Sequence, residues 1–268
     1  MKRLAIETPW PDAPVYYKKS TASTMEDARR LFEGGCPDGT AILTDYQTRG
    51  RGRMADRSWF AEEGKNLLFT VVLRDRGGSR SFGEGPQRLP LLAGLALALS
   101  VEQLYGETVR LKWPNDLLVG EKKLAGVLCE ALAEGDSLGV LIGIGVNCNQ
   151  LSFPPELTPR ATSLALVLGR QVVPSDLATT VLRMLKVCLD DGDWHPKVTE
   201  RLYGLGREAV VLAATEPSGQ TRVVHRGTVL GLNRDGALLL RSERGAPESV
   251  YGGELHFAAE GPALKRML

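Results

Sequence analysis

Apolar residues alternate with polar ones along some stretches of this chain and recur every three to four positions along others, and the two periods divide it into elements. Residues 15–19 read as a short strand. Met25, Ala28, Leu31 and Phe32 follow at helical spacing. Ser23-Thr24-Met25-Glu26 ahead of them has the form of a capping box, and Gly34-Gly35 stops the helix. Alternation returns over residues 41–46, and residues 66–73 form an apolar, β-branched run that predicts another strand. Residues 89–105 predict a long apolar helix ended by Gly106. A short strand over 109–113, a hairpin turn at Gly120-Glu121-Lys122-Lys123 and strands over 124–130 and 138–146 come next. Gly143 and Gly145 interrupt the last of these, and a glycine inside a strand marks close approach of a ligand or another backbone. Two helices are expected after it: a short one over 162–168 and one capped by Ser175, with Leu177, Val181, Met184, Leu185 and Cys188 as its inner stripe.

The ends have a different texture. Residues 1–14, with Pro9, Pro11 and Pro14, read as an extended lead-in, and residues 74–87 as a Gly- and Arg-rich surface loop. From about Glu208 short runs at 209–213, 222–232, 237–242 and 249–257 alternate with turn signals at Pro217-Ser218-Gly219, Asn233-Arg234-Asp235-Gly236 and Gly245-Ala246-Pro247. That pattern predicts a small all-β unit. The boundary is expected near 206/207, giving domains 1–206 and 207–268.

Composition removes several classes of function. The 268 residues are 43% apolar and 24% charged, as in a soluble globular protein, and the formal net charge is +1. No global field draws such a chain to nucleic acid or membrane, so any anion site is local. The N-terminus lacks the apolar core of a signal peptide, and the longest apolar run, 89–101, is too short to span a bilayer. Cys36, Cys129, Cys148 and Cys188 lie far apart with no metal-ligand spacing, which suits reduced cysteines in a cytoplasmic protein. His195, His225 and His256 are scattered.

Two segments carry candidate chemistry. Residues 47–59 hold Arg49, Arg51, Arg53 and Arg57 with Gly50, Gly52 and the single acid Asp56. Like charges at alternate positions repel, so the loop is expected to be mobile until an anion orders it. The two glycines would let backbone N–H groups approach that anion, and the arginines grip carboxylate or phosphate with two prongs. A solvated basic loop or a nucleic-acid contact fits the same residues. Lys112, Asn115, Asp116 and Lys123 fall within twelve positions, where a strand end and a returning hairpin bring a carboxylate and an ammonium together. Asp116 can hold Mg²⁺ through water, and Lys123 can neutralise a reacting anion; a plain turn with Lys123 in solvent is the alternative. Neither G-x-S-x-G nor G-x-x-x-x-G-K-[ST] is present, and no hydroxyl, thiol or histidine stands in a nucleophile arrangement. The parts suit attack by a small carboxylate on a nucleotide α-phosphate, catalysed by positioning and charge.

Gly50-Arg51-Gly52-Arg53, Lys112-Trp113-Pro114-Asn115-Asp116, Lys123-Leu124-Ala125-Gly126 and Gly143-Ile144-Gly145-Val146-Asn147 occur in the order and spacing of biotin protein ligases. Ser23-Thr24, Gln47, Asn66-Leu67 and Gly253-Glu254 fit as well, so the chain resembles that family over nearly its whole length. The resemblance implies an α+β fold, a mixed sheet packed with helices, followed by a small SH3-like barrel. It implies biotin, ATP and Mg²⁺: biotin and MgATP give biotinyl-5′-AMP and pyrophosphate, then a lysine of a biotin carboxyl carrier protein attacks the mixed anhydride. By carry-over, Lys123, Arg51, Arg53 and Asp116 are catalytic, and Asp116 is the metal ligand. Ser23, Thr24, Met25, Gln47, Gly50, Arg51, Gly52, Arg53, Trp59, Lys112, Asn115, Lys123, Gly126, Gly143, Gly145 and Asn147 meet biotin or the adenylate. The chain departs from the family twice: residues 54–59 are one residue longer than usual and lack a glycine, and Met25 stands where Asn is frequent. With 22 residues before Ser23, no DNA-binding winged helix and no repressor function are expected. Nor is a membrane contact; the oligomer is a monomer or homodimer. The competing readings are a lipoate-type acyl ligase and a sensor that binds biotin or nucleotide without turnover.

Overall fold

The computed structural model describes residues 1–54, 57–75, 87–135, 137–213, 223–242 and 245–257. The expected turn at Pro217-Ser218-Gly219, most of the loop at 74–87, and Ala55 and Asp56 of the basic segment lie outside the described residues.

Eight strands form one mixed sheet in the order β1-β2-β3-β4-β8-β7-β6-β5. They are β1 (Lys2–Leu4), β2 (Val15–Thr21), β3 (Thr40–Gln47), β4 (Asn66–Asp75), β5 (Arg110–Lys112), β6 (Asp116–Val119), β7 (Lys122–Glu134) and β8 (Ser137–Asn147). The β2–β3 pair is parallel, joined by helix α1 (Thr24–Glu33); the other pairs are antiparallel. Period-two alternation splits β4 and β8 between two faces. Leu67, Phe69, Val71 and Leu73 with Val140, Ile142, Ile144 and Val146 point into the larger core, beneath α2 (Arg88–Tyr105) and α4 (Pro174–Asp190). On the opposite face Val72 and Leu141 pack against Met25, Ala28 and Phe32 of α1. The apolar run of α2 is long because it is covered on both sides, by the sheet and by α4. Gly106 ends it at φ 74°, the left-handed cap expected of a glycine.

The second sheet is antiparallel, in the order β12-β11-β10-β9-β13: β9 (Glu208–Leu212), β10 (Val223–Leu232), β11 (Leu238–Arg241), β12 (Pro247–Val250) and β13 (Glu254–Phe257). The run 249–257 is therefore two strands: Gly253, at φ 124°, turns the chain so that β13 pairs with β9 and not with β11. The buried Phe257 ring meets Tyr203 edge-on at 5.3 Å and lies under the Arg207 guanidinium at 4.7 Å. Gly204 lies so close beneath it that a Cβ there would overlap the ring.

Three further expectations change. The lead-in contains β1, too short to show a period, paired on β2. Helix α4 opens on Pro174 after Val173, with no side-chain cap from Ser175. Helix α5 (Trp194–Glu200) follows α4, where no further helix was expected before the β unit. The short helix α3 (Leu164–Leu168) is capped by Ser163, whose hydroxyl accepts from the Leu166 N–H at 3.2 Å.

Candidate active site

Alternation that buries Ile142, Ile144 and Val146 leaves Gly143 and Gly145 on the opposite face of β8. Across the ladder Gly145 pairs with Gly126 of β7, and Gly143 with Leu128. The result is a patch of bare sheet backbone that forms the floor of a cleft. The cleft is about 70 Å³ in volume and is lined by Ser23, Thr24, Met25, Gln47, Arg51, Gly52, Arg53, Trp59, Asn115 and Lys123. Leu68, Phe69, Val127, Leu128 and Ile144 also line it, and sequence reasoning missed them. Leu68 was visible in principle: it alternates with the core residues of β4 and so faces the floor.

The glycines are required by what lies on them. A Cβ on Gly145 would fall 2.7 Å from the Trp59 ring, one on Gly126 would fall 3.2 Å from the same ring, and one on Gly143 would fall 2.7 Å from Met25 Sδ. The Trp59 Nε1 atom is buried without a hydrogen-bond partner.

One wall is the start of α1. Ser23 is the N-cap, its hydroxyl accepting from the Met25 N–H at 3.3 Å. Glu26 does not complete a capping box in return; its carboxylate meets Arg49 at 3.3 Å. Gln47 Oε1 accepts from the Thr24 N–H at 2.8 Å and from its hydroxyl at 3.1 Å, and Thr70 donates to Thr24 Oγ1 at 2.8 Å. The first N–H groups of the helix are therefore largely spoken for within the protein.

The basic segment forms the opposite wall as a narrow hairpin. Arg51 bridges Ser58, the Trp59 N–H donates to Gly50 O at 3.0 Å, and the Gly52 N–H donates to Arg57 O at 2.7 Å. The glycines serve this ladder, since a Cβ on Gly52 would fall 2.9 Å from Arg57 Cβ and one on Gly50 3.0 Å from Trp59 O. Repulsion among the arginines is relieved because each turns to a different partner. Arg49 meets Glu26, Arg51 meets Glu130 at 3.4 Å, Arg53 donates to Gly253 O at 2.7 Å and Arg57 meets Glu254 at 3.7 Å. The expectation of a loop kept mobile by its own charge overlooked these acceptors, which lie far away in sequence.

Lys123 reaches the floor through a β-bulge. The β6–β7 register shifts between Leu117 and Leu118, which changes the parity of β7 and aims Lys123 to the side of Gly126. Its Nζ lies 2.6 Å from Asp116 Oδ1 and 5.6 Å from the centre of the Trp59 ring. Its backbone is held by residues 160–162: the Lys123 N–H donates to Arg160 O at 2.7 Å and the Thr162 N–H to Lys123 O at 2.9 Å. Asn147 supports that strap by donating to Thr162 O at 2.9 Å. Asn115 donates to Val127 O at 2.7 Å and pins the turn after β5 onto β7; the Trp113–Pro114 peptide in that turn is cis. Lys112 pairs with Asp116 across β5 and β6, and its Nζ lies 5.7 Å from the centre of the Phe257 ring. Asn147, Lys112, Asp116 and Gly50 thus stand around the cleft and not on its lining. Among the described residues no three His, Cys, Asp or Glu side chains gather as a metal site.

A family model described as the biotin/lipoate A/B protein ligase family matches residues 17–147. The chain is 32% identical to a biotin--[acetyl-CoA-carboxylase] ligase of Paracoccus denitrificans over 251 residues, 87% of this chain and 98% of that one. It is 32% identical to the bifunctional ligase/repressor BirA of Bacillus spizizenii over 94% of this chain and 77% of that protein. The structure of a biotin protein ligase from Aquifex aeolicus in complex with biotin and ATP superimposes with a TM-score of 0.74 at 29% identity, covering 90% of this chain and 97% of that one.

Proposed function

We infer the activity from kinship and geometry together: the chain belongs to the biotin/lipoate A/B protein ligase family, and it is an ATP-dependent biotin protein ligase. The observation that carries the reading is the convergence of Lys123, Arg51 and Arg53 on a cleft floored by Gly126, Gly143 and Gly145. Bare backbone lets a flat ligand lie against the sheet, and the cations stand where a carboxylate and a phosphate would meet. In the first step an oxygen of the biotin carboxylate attacks the α-phosphorus of ATP, the bond to the β-phosphate oxygen breaks, and pyrophosphate leaves. In the second, the neutral amine of a carrier lysine attacks the acyl carbon of biotinyl-5′-AMP. AMP departs with the phosphate oxygen, and the amine loses one proton.

Lys123 is assigned to the carboxylate and the charge that grows on the α-phosphate, with Asp116 fixing its direction. Arg51 and Arg53 are assigned to the adenylate phosphate, and Trp59 with Met25 to the ligand's apolar surface. Ser23, Thr24 and Gln47 line the polar end. Asn147 and Asn115 act through the strap and turn that they hold. Magnesium enters with the nucleotide, as MgATP. The Asp116 carboxylate is engaged by Lys123, and no cluster of three acidic, His or Cys side chains stands beside it among the described residues, so Asp116 would meet the ion together with the nucleotide's phosphates and water. The acceptor is the biotin carrier subunit of a carboxylase. The division into a catalytic unit over 1–206 and a β unit over 207–268 is part of the same proposal.

The test is isotope exchange between pyrophosphate and ATP. Exchange that depends on biotin, and not on lipoate or octanoate, is the expected result. Exchange driven by lipoate would assign a different acyl group, and binding of biotin with no exchange would make the protein a sensor.

A further inference from the structure

Glu130 lies on the cleft-facing side of β7, two residues beyond Leu128 and therefore one step past the glycine floor. Two arginines reach it from different elements. Arg29, one helical turn after Met25 on α1, donates to Glu130 Oε2 at 2.9 Å. Arg51 of the hairpin stands 3.4 Å from Glu130 Oε1, longer than the roughly 2.7–3.2 Å of a normal N–H···O bond. The Glu130 side chain is about a quarter exposed, while the two arginine side chains are nearly half exposed. So Arg29 takes the hydrogen bond, whereas Arg51 feels the charge and keeps its donors.

We propose that Glu130 is a positioning residue for Arg51, and that Arg29 sets how strongly it acts. The inference rests on the ligase reading and deepens it. A long arginine side chain on a hairpin edge has many rotamers, and an anion placed beside the cleft narrows them before the ligand arrives. The same anion would compete with the adenylate phosphate if it bonded Arg51 directly. Arg29 prevents this by occupying the carboxylate and cancelling part of its charge. When phosphate enters, Arg51 transfers to it without leaving Glu130 uncompensated, because Arg29 stays. The grip of Arg51 is best read on the retained intermediate, since in biotinyl-5′-AMP the phosphate is the one remaining anion.

The test uses the full chain with biotin, MgATP and a lysine-rich bystander protein, and follows bystander labelling as the measure of escaped biotinyl-5′-AMP. Glu130→Gln keeps an oxygen for Arg29 and removes the charge. Arg29→Met keeps the bulk and frees Glu130 to bond Arg51. Each is expected to raise labelling about twofold to fivefold, the range a partly exposed ion pair supports. The double variant should leak no more than Glu130→Gln alone, because Arg29 has no role once the charge is gone. Raised salt should shrink the difference from wild type. Melting temperature and the maximal rate of pyrophosphate release should stay near wild type in all three. Labelling unchanged in Glu130→Gln, or effects that multiply in the double variant, would overturn the proposal. So would leakage that follows a lowered melting temperature and ignores salt. Failure of wild type to release pyrophosphate with biotin would instead sink the ligase reading.

Discussion

Gly143 and Gly145 are two residues apart on the same face of β8, yet a methyl group at each would meet a different kind of neighbour. At Gly145 it would press on the broad Trp59 ring, which also lies on Gly126. At Gly143 it would press on the thioether of Met25, a flexible side chain that moves at low cost. Gly145→Ala should therefore displace Trp59, cost about 1–3 kcal/mol in overpacking and sharply raise the KM for biotin. Gly143→Ala should be milder on both counts, which thermal unfolding and steady-state kinetics would show; equal effects would refute the assignment of Trp59 as the bulkier and less yielding neighbour. Lys123 acts on charge. Its removal as Lys123→Ala takes away one preorganised donor, a loss of about a hundredfold to a thousandfold in rate, with the fold intact. Near-normal pyrophosphate release by that variant would show that the cation is elsewhere.

The hairpin formed by residues 50–54 and 57–59 is the element on which the site depends. Its ladder is short, and apart from Trp59, which lies on Gly126 and Gly145, its other attachments are single contacts from exposed arginines, so it belongs to the low-stability parts of the molecule. It also closes the cleft. Bound biotin and ATP should protect residues 48–60 from trypsin, and unchanged cleavage at saturating ligand would count against the hairpin as a lid. Arg53 has two duties, lining the cleft and donating to Gly253 O. Arg53→Gly should loosen the seal while leaving Lys123 in place, so that biotinyl-5′-AMP escapes and acylates unrelated lysines. A bystander labelled no more than by wild type would refute that.

Across the whole molecule, the two sheets meet beside the cleft. The buried Trp113 indole donates to Gly236 O at 3.1 Å, and Arg53 and Arg57 reach Gly253 and Glu254. The His256 ring, its Nε2 3.5 Å from the Glu254 carboxylate, and the charges of Arg57 and Arg53 hold that carboxyl down at about 2, against burial, which raises it. A carboxyl with a depressed native pKa stabilises the fold fully above its unfolded value and loses that contribution as pH falls through the native one. The stability that Glu254 contributes, mostly through His256 and in smaller part through Arg57 and Arg53, should therefore be present at neutral pH and be lost between about pH 4.5 and pH 2. Glu254→Gln should flatten that part of the stability profile, and a profile identical to wild type would remove Glu254 from the linkage. Burial pushes the Cys129 and Cys148 thiols up to about 12 and Cys188 to about 11, so these should alkylate slowly at neutral pH. With a net charge of +1, sequence-dependent DNA binding that resists salt is not expected; a gel shift of that kind would disprove it.

Local chemistry by itself determined much of this protein. The helical spacing of Met25, Ala28, Leu31 and Phe32 and the apolar runs over 66–73 and 89–105 locate α1, β4 and α2, because burying those residues requires an element of that type there. The ordered motifs around Arg51, Lys112, Lys123 and Gly143 were enough to name the family. Tertiary structure decided the rest. Strand β1 and helix α5 are too short to show a period, and the split of β12 from β13 depends on which strand each finds. The direction of Lys123 follows from a bulge that exists only once β6 and β7 pair. Charge on the basic hairpin looked self-repelling because Glu26, Glu130, Gly253 and Glu254 lie tens to hundreds of residues from it in sequence, and folding alone brings them within reach.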